Sequence, residues 1–188
     1  YVDATAPRTR ILEPQYGDMV AGTVLIEAEV TDASGIASAT MYIDGTKQTV
    51  LYAEPWEWPW DTTTTSGEVE LELRSVDMAG RSATDTVVVT VDNLPYVRQS
   101  DPSDGDTVSG FVSLAASASD DLGLTRVSWD LDGVYLDEDT TSPYRGLFDS
   151  CAVASGTYTL TATGEDSAGQ LTTDGVTIEV DQPFEIEM

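Results

Sequence analysis

The sequence has no histidine, one cysteine and one lysine among its 188 residues. Without histidine, Ser-His-Asp and Cys-His catalysis are excluded, as is any zinc site built on imidazole. One cysteine, Cys151, allows neither an internal disulfide nor a thiolate metal cluster, so a lone thiol in a loop or strand end is expected. No apolar run approaches the roughly 18 residues a membrane-spanning helix needs, so direct membrane insertion is not expected. The opening YVDATAP lacks the basic-then-apolar pattern of a signal peptide, which reads as a mature or excised fragment. Positive charge is the scarcest resource: 8 basic residues face 34 acidic ones, for a formal charge of −26. Affinity for phosphates comes largely from Lys and Arg, so this field repels nucleic acid and anionic lipid and excludes a nucleic-acid partner. Self-repulsion of this size destabilises a compact state unless salt or bound cations screen it. A saline or calcium-rich exterior suits such a chain.

What is present is a repeat. Sliding the sequence against itself by 88 positions brings Pro14, Gly17, Asp18, Val20, Gly22, Asp32, Gly35, Asp44, Gly45, Pro55 and Asp61 onto Pro102, Gly105, Asp106, Val108, Gly110, Asp120, Gly123, Asp132, Gly133, Pro143 and Asp149. The offset then becomes 89, and Gly67, Leu71, Asp77, Ala79, Gly80 and Asp92 meet Gly156, Leu160, Asp166, Ala168, Gly169 and Asp181. One inserted residue therefore lies in the loop after Asp149. The period is a whole domain, too long for a solenoid unit. The copies span residues 1–92 (with 1–6 as preceding linker) and 93–181. Residues 182–188 read as the start of a following linker or domain, with Pro183 placed like Pro95.

Alternation runs through both copies. Val24, Ile26, Ala28 and Val30 alternate with Leu25, Glu27, Glu29 and Thr31. Val69, Leu71 and Leu73 alternate with Glu68, Glu70 and Glu72, and Tyr158, Leu160 and Ala162 with threonines. These are strands with one dry face and one wet face. Asp44-Gly45 and Asp132-Gly133 suit tight hairpin turns whose central residues take positive φ. The expected fold is all-β: two tandem sandwiches of about seven strands each.

The ordered set P-x-x-G-D-x-V-x-G-x-V, D-x-x-G-I/L, D-G, P-W/Y, W/F-D, G-x-x-x-L and D-x-A-G, found twice, resembles the bacterial immunoglobulin-like domain family. The resemblance implies an immunoglobulin-like fold repeated in arrays on secreted or surface proteins, as spacers, adhesive stalks or appendages of secreted enzymes. It carries over no catalytic residue. The second copy departs at Gly146, where an aromatic is usual, so a looser core is expected there.

EPWEWPWDT, residues 54–62, puts Trp56, Trp58 and Trp60 on every second position and hence on one strand face. Their counterparts are Tyr144, Gly146 and Phe148. A repeated aromatic pattern on a strand face implies core packing rather than a sugar-stacking platform. Trp58 is the expected exception, because its counterpart has no side chain.

The acidic loops suggest a further site. In this topology the B–C and F–G loops lie where a domain begins, and the A–B and E–F loops where it finishes. Asp18, the linker residues Asp92 and Asn93, and Asp120, Asp121 and Asp166 are then expected to converge on an interdomain calcium ion, loosely similar to the acidic linkers of cadherin-like arrays. Asp3, Asp32 and Asp77 are the matching half-site before the first copy. Calcium takes six to eight oxygen ligands from carboxylates and carbonyls. The competing expectation is turn chemistry alone, since Asp and Asn bond their own backbone in loops. The stripe Glu68, Glu70 and Glu72 reads as a solvated face.

The leading functional expectation is a non-enzymatic extracellular or cell-surface module, two repeats of a longer array acting as spacer, stalk or adhesive element. Its partners would be neighbouring domains of the same polypeptide, another surface protein or a glycan. The alternative is a carbohydrate-binding or accessory module of a secreted enzyme.

Overall fold

A computed structural model describes residues 4–182. Asp3 and Pro183, and most of the 182–188 segment, lie outside the described residues. The chain divides into two compact units, Tyr1–Asn93 and Leu94–Met188, and each is taken by itself.

In the first unit the strands are β1 (Arg8–Glu13), β2 (Met19–Val20), β3 (Thr23–Thr31), β4 (Ile36–Ile43), β5 (Thr46–Leu51), β6 (Glu57–Asp61), β7 (Gly67–Asp77) and β8 (Ser82–Val91). They form a three-stranded sheet, β1-β3-β6, and a five-stranded sheet, β2-β8-β7-β4-β5. The second unit repeats this with β9 (Tyr96–Asp101), β10 (Thr107–Val108), β11 (Phe111–Ser119), β12 (Leu124–Leu131), β13 (Val134–Asp139), β14 (Arg145–Asp149), β15 (Gly156–Asp166) and β16 (Leu171–Val180). Its sheets are β14-β11-β9 and β10-β16-β15-β12-β13. Each sandwich thus has one strand more than expected, the two-residue β2 or β10. This strand exists because the chain kinks after β1 or β9 and crosses to the other sheet. Among the described residues no helix is long and apolar enough to cross a membrane.

The alternation read from the sequence is the burial pattern. Val69, Leu71 and Leu73 in β7 are at most 1% exposed, while Glu68 and Glu70 face solvent. On that wet face Glu72 pairs with Arg74 at 2.7 Å, and the Arg74 guanidinium lies 4.3 Å from the Tyr42 ring centroid. The Arg74 hydrogen bonds hold the Glu72 carboxyl below its ordinary pKa. Both Asp-Gly hairpins form, with Asp44 at φ +45° and Asp132 at +48°, followed by Gly45 at +73° and Gly133 at +81°. The carboxylates brace these turns across the sheet: Glu70 N donates to Asp44 Oδ1 at 2.9 Å, and Thr159 N to Asp132 Oδ1 at 2.8 Å.

The tryptophans are core. Trp56, Trp58 and Trp60 are 6%, 3% and 6% exposed, so Trp58 is not the exception that its counterpart suggested. Its indole N–H donates to Thr49 O at 2.7 Å. Nor is the second core loose at Gly146. Trp129 fills that space: a Cβ built on Gly146 would stand 3.1 Å from Trp129 Cε3. The residue equivalent to Trp129 in the first copy is Met41, so the two cores exchange a large and a small residue between two facing positions. The Trp129 N–H donates to Gln99 Oε1 at 2.9 Å, where the first copy has Ile11.

Candidate functional site

Turn chemistry accounts for much of the repeated acid. Asp18 Oδ2 accepts from Gln15 N at 2.7 Å, and its counterpart Asp106 Oδ2 from Ser103 N at 2.8 Å. Asp61 and Asp149 accept at 3.0 Å from Thr63 N and Cys151 N. Asp85 Oδ2 takes Ile11 N and Asp174 Oδ2 takes Gln99 N, tying the two sheets of each sandwich together. Cys151 is exposed and free, in a 3₁₀ turn after β14.

Asn93 is committed to the first sandwich. Its Oδ1 accepts from Gly22 N at 3.3 Å and Thr62 Oγ1 at 3.0 Å, and its Nδ2 donates to Thr62 O and Thr65 O. The single Thr62 hydroxyl hydrogen is shared between Asn93 Oδ1 and Gly22 O, each 3.0 Å away. Asn93 therefore closes its own domain. Gln182 repeats the device, donating through Nε2 to Ser150 O and Val153 O. Ser150 Oγ then bonds Gly110 O at 2.9 Å as Thr62 Oγ1 bonds Gly22 O at 3.0 Å. No shared motif carries this clamp, because Asn and Gln differ in length and follow the last shared Asp.

Not every carboxylate is used up in this way. The loops after β3 and β7 meet at one end of the first sandwich, where Met78 N donates to Gly35 O at 3.0 Å. The same end of the second sandwich has Ser167 N on Gly123 O at 3.1 Å and Thr125 Oγ1 on Asp166 O at 2.8 Å. Asp32 Oδ1 accepts from Ser34 N and Oγ, and Asp120 Oδ2 from Leu122 N and Gly123 N. Asp77 Oδ1 takes Arg81 N at 2.8 Å, and Asp166 Oδ1 takes Ala168 N and Gln170 N at 2.8 Å each. Asp77 and Asp166 are each 1% exposed. Their second oxygens, with Asp120 Oδ1, are buried without a hydrogen-bond partner. Carboxylate oxygens of Asp120 and Asp121 lie within 4.8 Å of one another. Asp92 is also buried, its backbone N donating to Val20 O at 3.1 Å.

An orphaned buried carboxylate oxygen carries a desolvation cost of about 1–3 kcal/mol or more, and in a native structure it marks a place for water or an ion. Asp120 and Asp121 belong to an acidic cluster, with Asp92 as its buried member, that could hold a metal ion.

The paired sheets of each unit, antiparallel except where β2 joins β8 and β10 joins β16, define two immunoglobulin-like sandwiches in tandem. The chain belongs to the bacterial Ig domain family, which matches residues 7–73 and 95–162. Among curated proteins no relative matches. Among solved structures, the N-terminal eight Ig domains of Down Syndrome Cell Adhesion Molecule align over 95% of this chain and 24% of theirs, at 16% identity and a TM-score of 0.63. A three-Ig structure of titin aligns over 95% of this chain and 66% of its own, at 15% identity and 0.52. The fibronectin(III)-like modules of Clostridium thermocellum CbhA align over 96% and 100%, at 21% identity and 0.45. At these identities the likeness is one of fold. Tandem Ig-like domains of this kind are consistent with a structural or accessory module.

Proposed function

We propose that the chain is a non-enzymatic spacer of an extracellular or cell-surface array, built to carry tension, with a calcium ion held at the acidic end of the second sandwich. The observation that supports the spacer reading is how each domain ties its last strand. The chain enters each sandwich at one end and leaves at the other, because β1 begins opposite the last residue of β3 and β8 ends opposite the first residue of β7. Near its start, β2 runs parallel to β8, and β10 parallel to β16. Pulling the two ends apart loads a parallel pair in shear, so its hydrogen bonds must fail together rather than one by one. Three bonds span each junction: Gly17 N to Val88 O, Thr90 N to Asp18 O and Asp92 N to Val20 O in the first copy, and Gly105 N to Thr177 O, Glu179 N to Asp106 O and Asp181 N to Val108 O in the second, all between 2.7 and 3.1 Å. The Asn93 and Gln182 clamps close the same end.

Force spectroscopy on the intact chain tests this. Two separate unfolding events are expected. Glu179→Pro, which removes one shear bond while sparing the β15 pairing, should lower the unfolding force of one event only. Equal forces for both events in wild type and variant would refute a force-bearing role.

The alternative, a glycan-binding accessory module, needs exposed rings. A groove of about 600 Å³ does run along β3 and β6, lined by Leu12, Glu27, Glu29, Glu54, Pro55 and Trp56 among others. Trp56 presents only 6% of its surface there, so the spacer reading is preferred.

A further inference from the structure

We infer that the outer edge of β14 is a strand-pairing surface that fits β14 of a second chain, and that Asp137 and Asp139 hold it closed.

β14 is an edge strand of its sheet. Ala116 N on β11 donates to Tyr144 O, so by alternation Tyr144, Gly146 and Phe148 turn their backbone groups inward to β11. Arg145, Leu147 and Asp149 turn theirs outward. A row of unpaired N–H and C=O groups is a template for another strand. Here two of the donors are taken by carboxylates of β13, at the edge of the facing sheet. Leu147 N donates to Asp137 Oδ2 at 2.9 Å, and Arg145 N to Asp139 Oδ2 at 3.0 Å. A Cβ on Gly146 would stand 3.2 Å from Asp137 Oδ2, so the glycine also makes room for this carboxylate.

The edge that these carboxylates cover is self-complementary. An antiparallel pair of β14 strands centred on Leu147 sets leucine against leucine, and sets Arg145 of each chain opposite Asp149 of the other. These side chains lie on the outer face, where Leu147 is 55% exposed and Phe111, beside Asp149 on β11, is 75% exposed. Three outward residues per strand give on the order of six backbone hydrogen bonds, and opposite charges facing across strands add to them. Asp149 gives Oδ1 to Cys151 N, which leaves Oδ2 for the arginine. The equivalent strand of the first sandwich, β6, is built against the same pairing. Pro59 stands at the Leu147 position and has no N–H to offer, and Glu57 would meet Asp61 of the other chain. No covering carboxylate is needed there, and Thr49 and Leu51 occupy the Asp137 and Asp139 positions.

Analytical ultracentrifugation of the intact chain tests this, with reductant present because Cys151 is exposed and free. Wild type should sediment as a single chain. Asp137→Ala combined with Asp139→Ala should shift to twice that mass as concentration rises, while circular dichroism shows the fold intact. Asp137→Ala alone spares the bond from Thr141 N to Asp139 Oδ1 and should dimerise more weakly; it carries the test if the pair does not fold. Adding Leu147→Pro to the open variant should restore the single chain, as proline is tolerated on an edge strand but cannot donate. Adding Arg145→Glu instead should raise the dissociation constant about tenfold or more, because like charges then face each other across both ends of the pair. A folded open variant that stays a single chain would overturn the inference. So would a wild type that is already paired, or a dimer indifferent to Leu147→Pro or to Arg145→Glu.

Discussion

The exchange of Met41 and Trp58 for Trp129 and Gly146 can be tested by imposing the second core on the first. Trp58 is 3% exposed and donates its N–H to Thr49 O. Removing a buried tryptophan side chain costs about 3–5 kcal/mol, and glycine in a strand adds about 0.5–1 over alanine. Trp58→Gly should therefore cost about 4–6 kcal/mol, a large share of the roughly 5–15 kcal/mol that stabilises a domain. Met41→Trp alone overpacks the core and should cost about 1–3 kcal/mol. Independent effects would add to about 5–9 kcal/mol, most or all of a typical domain's stability. If the second core is a true template, the new indole enters the space Trp58 vacates, and the double variant should beat the sum of the singles by about 2 kcal/mol or more. Ile11→Gln in the same background supplies the acceptor that Gln99 gives Trp129 at 2.9 Å, removing an orphan N–H worth about 1–3 kcal/mol. The assay is urea unfolding of the intact chain, with Trp129 as an internal reference for the untouched sandwich. A double variant no more stable than the summed singles, within about 0.5 kcal/mol, would refute the reasoning.

Asn93→Ala should destabilise the first sandwich by about 1–3 kcal/mol through the unpaired groups it leaves around Thr62 and Thr65, and Gln182→Ala should do the same to the second. Domain-resolved urea midpoints check this, and a variant that shifts both transitions equally would contradict it. The carboxyls of Asp61 and Asp139 are held below their ordinary pKa, chiefly by the backbone N–H of Thr63 and of Thr141, respectively. A carboxylate depressed on folding stabilises above its unfolded pKa and loses that contribution as pH falls through its folded value. Melting temperature should thus be level above the ordinary carboxylate range and drop below it, and Asp139→Asn should flatten part of that acid limb.

Patterning alone determined the duplication, the all-β class, the wet and dry strand faces, the Asp-Gly hairpins and the inward placement of the tryptophan strand. Each is a local property, fixed by the period-two geometry of a strand or by the φ a turn requires. Non-local compensation between the two sheets leaves no mark at any single position of the sequence. Gly146 reads as a hole until Trp129, which reaches it from the other sheet, is seen filling it. Trp58 reads as exposed for the same reason. The clamps of Asn93 and Gln182 join segments about thirty residues apart through side chains of different length, which no shared motif records. The fates of the aspartates were likewise set by packing. One sequence letter covers a turn acceptor such as Asp18 and a buried carboxylate with an orphaned oxygen such as Asp166, and only the folded chain decides which backbone amides come within reach.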